Sequence, residues 1–270
     1  MNWHEHGGSG PRTVLLLHGM GATGAVWTGV RRAIDRRMAA RWIVADLGGH
    51  GGSDWRATYS VGQFAADLVP LIHDHRELFI VSHSLGTYVG LALASGWFGV
   101  RVAGLLGIGP KVSWSDADIQ GARELATRPV RWYATQQEAS LRYRRTSGLD
   151  EKVAPNEDHL ARGVVHAAEG YRLSQDPRTF IVAGAPFATL LSSAACGVLL
   201  ARGEHDAMVS TEELRAHRDD AVVIAGAGHN AHAEQPDAIV SLLEPLLSGK
   251  PLQSKRSRAS IRRPTSASDV

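Results

Sequence analysis

The chain has 270 residues, 44% hydrophobic and 21% charged, a composition that excludes a wholly disordered chain, a collagen or a coiled coil. No run of eighteen or more apolar residues occurs, so neither a membrane-spanning helix nor a membrane partner is expected. The net charge of +2 is unevenly spread: residues 249–270 hold six of the 29 Lys and Arg residues and one of the 27 acids, which leaves the remainder mildly acidic.

Met1 to Pro11 is polar and Gly-rich, without the apolar centre of a signal peptide, which predicts a cytoplasmic protein. Only Trp3–His6 within it could form a strand. Thr13–His18 is a short apolar run closed by Gly19. Such a run without alternation suits a strand buried on both faces, as in a parallel sheet. Gly24–Met38 reads as a helix, Arg41–Asp46 as a second buried strand, and Val61–His73 as a helix capped by Ser60. Leu78–Ser82 is a third strand, Leu85–Ser95 a helix, and Val102–Ile108 a fourth strand. Strands alternating with helices imply βαβ units.

From Lys111 to about Leu191 the alternation stops. That stretch is Arg-rich and helical in pattern, with candidate helices near Asp116–Thr127, Gln136–Thr146, Asp158–Ala168 and Asp176–Leu191. Afterwards the alternation returns: strand Gly197–Ala201, helix Thr211–His217, strand Ala221–Ala225 and helix Ala238–Leu247. Residues 249–270 form a Ser/Arg-rich basic tail with almost no apolar residues, expected to be a disordered, solvated extension. No nucleic-acid partner is expected. The single cysteine, Cys196, excludes an intrachain disulfide and a Cys-based zinc site.

The chemistry concentrates at strand ends. In Val81-Ser82-His83-Ser84-Leu85-Gly86 a strand runs straight into a helix with Ser84 at the corner. That turn strains the corner residue and tolerates only small neighbours two positions away, here Ser82 and Gly86. A serine hydroxyl needs a base to take its proton and a third group to orient the base. The strand ending in Arg202-Gly203-Glu204-His205-Asp206 offers a carboxylate, and the strand ending in Gly226-Ala227-Gly228-His229 an imidazole. Functional residues in open α/β sheets collect at these C-terminal edges. The Gly-rich bend His18-Gly19-Met20-Gly21 can aim a backbone N–H at a substrate carbonyl, with the N–H of Leu85 as second donor.

In these pieces, together with Asp46-Leu-Gly-Gly-His50-Gly-Gly-Ser53, the chain resembles the α/β-hydrolase superfamily, in the branch with a helical cap. The pieces run in family order over residues 13–248. The resemblance implies an α/β-hydrolase fold: a mostly parallel sheet of about seven strands flanked by helices, with a helical cap inserted after the fourth clear strand. The core would be 1–110 and 192–248, the cap 111–191. It implies Ser84 as nucleophile, His229 as base, Asp206 as its orienting acid, and Met20 and Leu85 as oxyanion-hole positions.

Two residues compete with these assignments. Glu204 could face the same side as Asp206 but is expected to cap a loop, and His232 lies in the loop or helix start after His229. The Asp46–Asp54 loop lacks the P-loop lysine and a calcium-loop spacing, so it reads as structural support. No cofactor and no metal are expected. Gly19, His83, Lys111 and Trp114 are candidate substrate contacts, with hydrogen bonding that supports the site from behind as the competing role for His83 and for His18. Arg142, Arg144 and Arg145 read as a solvated helix face, with an anion clamp as the alternative. The expected activity is hydrolysis of a carboxylic ester, thioester or lactone of a small to medium substrate. A C–C bond hydrolase, a cofactor-free perhydrolase and a non-catalytic binding protein of the same fold remain alternatives; oligomeric state is open.

Overall fold

A computed structural model describes residues 3–149 and 162–248. Seven strands form one sheet: His4–Gly8 (β1), Arg12–Leu17 (β2), Ala40–Ala45 (β3), Leu78–His83 (β4), Val102–Ile108 (β5), and, far along the chain, Gly197–Gly203 (β8) and Val222–Ile224 (β9). Their order is β1-β3-β2-β4-β5-β8-β9. Only β1 is antiparallel to its neighbour; every other pairing is parallel.

The apolar runs become strands covered on both faces. Val14, Leu15, Leu16 and Leu17 of β2 are all fully buried. Leu15 and Leu17 pack with Phe64 and Leu68 of helix α2 (Val61–Ile72) and with Val89 of α3 (Leu85–Ala94). Val14 and Leu16 pack on the opposite face with Ile34 of α1 (Thr28–Arg37) and with Ile239 and Leu243 of α9 (Pro236–Leu247). Every residue of α3 is buried, in keeping with its small and mostly apolar sequence. Ser60 caps α2 as its sequence suggests, its Oγ accepting the Gln63 N–H at 3.0 Å. The helix expected from Gly24 begins instead as a 3-10 turn over Gly24–Trp27, and α1 follows.

Between β5 and β8 the chain leaves the sheet. There it forms α4 (Asp116–Ala126), α5 (Gln136–Ser147), a hairpin of β6 (Val164–Ala167) and β7 (Gly170–Leu173), a 3-10 turn over Pro177–Val182, and α6 (Phe187–Ser193). Capping boxes Ser115/Asp118 and Thr135/Glu138 start α4 and α5.

Two expectations are corrected here. The helix read over Asp158–Ala168 is, from Val164 onwards, a strand. Its β-branched Val164-Val165 pair with Leu173 and Arg172 across a turn that Gly170, at φ 115°, can adopt. Residues 158–161 lie outside the described residues, as does the 249–270 tail. The helix read over Asp176–Leu191 is broken at Gly184 (φ 81°) and Pro186, which divide it into the 3-10 turn and α6.

After β8 come α7 (Thr211–His217), β9, the single turn α8 (Ala231–Glu234) and α9. Among the described residues no helix is long and apolar enough to cross a membrane.

Candidate active site

The site collects at the C-terminal ends of β2, β4, β5, β8 and β9. Ser84 follows β4 directly and opens α3. Its backbone, at φ 48° and ψ −115°, is the one non-glycine positive φ among the described residues. Holding a serine there costs on the order of 1–3 kcal/mol, so the surroundings must fix it. They do: its N–H donates to the Ile108 carbonyl at 2.9 Å. A Cβ on Gly86 would come within 2.4 Å of the Leu17 carbonyl oxygen, so the turn passes only with glycine there. Ser82 replaces the other small residue without leaving its hydroxyl stranded: Oγ donates to the Leu106 carbonyl at 3.2 Å.

Asp206 and His229 meet. His229 Nδ1 lies 3.0 Å from both carboxylate oxygens of Asp206, whose side chain has no solvent exposure. The carboxylate also accepts the Met208 N–H at 2.8 Å, and the Asp206 carbonyl accepts from Arg202 Nη2 at 2.6 Å. Of the competing residues, Glu204 points elsewhere and accepts the Gly226 N–H at 2.8 Å, the loop-capping role its position suggests. His232 is fully buried, its ring 4.4 Å from Trp27 and 4.3 Å from His83.

His83 ties the Ser84 corner to the His229 loop. Its Nε2–H donates to the His229 carbonyl at 3.0 Å, and the two rings lie 4.6 Å apart. Burial drives its imidazole well below its ordinary range, so it stays neutral. Gly19 closes the same cluster: a Cβ there would sit 2.7 Å from His83 Nδ1 and 3.1 Å from Ser84 Cβ. His18 beside it donates from Nδ1 to the Gly19 carbonyl at 2.8 Å and accepts the Leu47 N–H on Nε2 at 2.9 Å. Two such partners demand a neutral ring, and burial lowers its pKa to about 4. The loop after β3 is braced by Asp46, which accepts the Gly24 and Gly52 N–H groups at 2.6 and 2.9 Å.

A cavity of about 560 Å³ opens beside Ser84. Met20, Leu85, Lys111 and Trp114 line it, as do Tyr88, Leu125, Phe180 and Met208. Lys111 is engaged by Asp118 at 3.0 Å and lies 5.0 Å over the Trp114 ring. Trp114 Nε1–H donates to the Tyr88 hydroxyl at 3.0 Å. Gly19 and His83, expected as substrate contacts, are not on that lining; both are buried beneath it. Among the described residues no backbone carbonyl takes the Met20 or Leu85 amide, and no group of three or more His, Cys, Asp or Glu side chains is arranged to hold a metal.

Two residues escaped the sequence reading. Gly109, at φ 56°, brings the chain after β5 against the Asp206–His229 pair: a Cβ there would lie 2.9 Å from Asp206 Oδ2 and 3.2 Å from His229 Nδ1. A glycine closing a buried strand was the available signal. Asn230 donates from Nδ2 to the carbonyls of Ser147 and Gly148 at 3.1 and 2.8 Å, fastening the His229 loop to the end of α5. No sequence pattern announces that bond.

A family model described as the alpha/beta hydrolase family matches residues 14–242, and the chain belongs to that family. It is 30% identical to Lipase LipV of Mycobacterium tuberculosis over 93 residues, 34% of each chain, so the match spans about a third of that relative. Two solved structures share the fold. One is a thioesterase domain from the curacin biosynthetic pathway (TM-score 0.72, 22% identity, 90% of this chain and 95% of that one). The other is a thermophilic esterase from Thermogutta terrifontis (TM-score 0.70, 23% identity, 92% and 93%).

Proposed function

We propose that the protein is a serine hydrolase that cleaves a carboxylic ester, thioester or lactone through an acyl-enzyme on Ser84. The observation that carries this reading is the Asp206–His229 pair at 3.0 Å, fastened through His83 to a strained serine that opens onto a cavity. With Nδ1–H donated to Asp206, His229 presents Nε2 as a base. Ser84 Oγ attacks the carbonyl carbon as its proton passes to Nε2. The Met20 and Leu85 amides receive the oxyanion, one such donor being worth roughly 2.7–4 kcal/mol in the transition state. The bond to the leaving alcohol or thiol then breaks as His229 returns the proton to it. Water attacks the acyl-enzyme, gives its proton to His229, and releases the acid with the serine hydroxyl restored. Residues 111–191 act as a cap that encloses a small or medium substrate. The fold neighbours named a thioesterase and an esterase are consistent with acyl transfer, and the lipase match points the same way.

The test is a panel of p-nitrophenyl esters with wild type and Ser84→Ala, beside labelling by a fluorophosphonate probe. Turnover and labelling are expected in wild type and lost in the variant. Labelling that persists in Ser84→Ala removes Ser84 as nucleophile.

A further inference from the structure

The cavity at Ser84 does not end in apolar walls. Leu125, Arg128 and Phe180 are shared with a second cavity of about 310 Å³. That one shares Arg131, Tyr133 and Arg142 with a third, of about 470 Å³, which also reaches Arg145. The three cavities adjoin one another from the serine outward, and their lining changes along the way. Near Ser84 the walls are Met20, Leu85, Tyr88 and Trp114, and Lys111 there is neutralised by Asp118. Further out, four arginines line the space against a single acid, Glu138. The Glu138 carboxylate is occupied in turn by the Thr135 N–H at the start of α5.

Arg128, Arg131, Arg142 and Arg145 are all exposed. No ion pair to an acid is recorded for any of them among the described residues. Arg144, in the same run on α5, behaves differently. It turns inward, where its guanidinium donates to the Leu149 carbonyl at 3.2–3.3 Å. The run is thus divided between one arginine that fastens a helix end and two that face the cavities. Guanidinium forks held around a concave space bind phosphate or carboxylate oxygens, often bidentately.

We propose that the outer cavities are a subsite for an anionic group on the substrate, the acyl part lying in the apolar cavity at Ser84 and the charged leaving portion reaching Arg128, Arg131 and Arg142. This rests on the serine-hydrolase reading of the same site and narrows its substrate class to esters or thioesters with a polyanionic leaving group. Phosphates and carboxylates satisfy the same forks, and the experiment separates them.

Three butyryl thioesters share the acyl group and differ in the thiol: coenzyme A with phosphates, glutathione with carboxylates, and neutral N-acetylcysteamine. The expected result is a kcat/KM about ten- to hundredfold higher for an anionic thioester than for the neutral one, as charge-assisted hydrogen bonds allow. The thioester that shows the advantage names the anion. In Arg128→Ala/Arg142→Ala the ratio falls towards one, in Arg142→Glu below it, while Arg215→Ala on α7 leaves it unchanged. Calorimetry of free coenzyme A and glutathione with Ser84→Ala reads the subsite without turnover, and the double arginine variant abolishes the binding. Equal kcat/KM for all three thioesters, with no binding of either free thiol, overturns the subsite. Loss of all Ser84-dependent turnover with binding retained instead overturns the hydrolase reading and leaves the subsite standing.

Discussion

Two walls of one cavity are built on different terms. The wall that carries Ser84, Leu85 and Tyr88 is the end of a parallel sheet and its most buried helix, where the Ser84 N–H and the Tyr88 hydroxyl are bonded at close range while no backbone carbonyl among the described residues takes the Leu85 amide. The wall supplied by α4 has only Ala122 and Ala126 buried, and its Ala117 and Gly121 face the cavity with little or no side chain. The first wall fixes atoms; the second sets how much room is left beside them. The serine-hydrolase reading, in which a nucleophile, a base and an acid are aligned, calls for the first kind of support. Selection among substrates tolerates the second, because changes in α4 leave the sheet untouched.

The largest effect expected in this contrast falls on the rigid wall, and it separates two carboxylates that lie two residues apart. Asp206→Asn keeps the volume but removes the charge facing His229 Nδ1, and kcat should fall on the order of 10⁴-fold. Glu204→Gln alters only the cap on the Gly226 N–H, so kcat should stay within a few-fold of wild type. Steady-state kinetics on one p-nitrophenyl ester reads both. Comparable losses in the two variants would mean that the acid has been misassigned.

Next in size is an acid sensitivity stored under the rigid wall. Burial lowers His18 to about 4 and His50 to about 3, against an unfolded value near 6.5. Below pH 6.5 the unfolded chain takes up protons that the folded one refuses, so stability is lost as pH falls, down to about 4 for His18 and about 3 for His50. Each ring costs up to roughly 1.4 kcal/mol per pH unit inside its window. Asp46, raised by burial against the pull of Arg162, works the other way and offsets part of the loss. A melting temperature roughly 5–10 °C lower at pH 5 than at pH 7 is expected. His50→Gln should flatten that slope; a wild-type melting temperature unchanged over this range would show that the rings do not titrate apart.

The same contrast explains what the sequence could tell. Leu-Leu-Leu in β2 and Ser82-His-Ser84-Leu-Gly86 are legible because their causes are local: a two-sided burial needs an unbroken apolar run, and a strained corner needs small neighbours. The serine, acid and histidine could be ordered because each closes such a strand. The segment between β5 and β8 was misread where structure depends on distant partners. Val164-Val165 looked helical in an Arg-rich context and became a strand because Arg172 and Leu173 lie across from it. The position of His83 beside Ser84 allows either a substrate contact or a supporting hydrogen bond, and the sequence does not name the partner, the His229 carbonyl 146 residues away, to which its Nε2–H donates. Asn230 illustrates the same limit, since its partners belong to the far end of α5.

The smallest expected effect lies on the adaptable wall and joins stability to selectivity. Gly121 sits in the middle of α4, where glycine costs a helix about 0.5–1 kcal/mol relative to alanine. Backbone geometry does not require it, since its φ is not positive, and packing does not either, since a Cβ there would meet nothing within 4 Å. The open space it preserves is the cavity beside Ser84. Gly121→Ala should therefore raise the melting temperature by a few degrees at most. Gly121→Leu, which carries three more carbons than alanine into the same space, should lower kcat/KM for octanoyl esters several-fold relative to acetyl esters. Thermal melts and a chain-length series of p-nitrophenyl esters check the two halves separately. A variant that is stabilised but keeps the wild-type chain-length profile would show that α4 does not bound the acyl group.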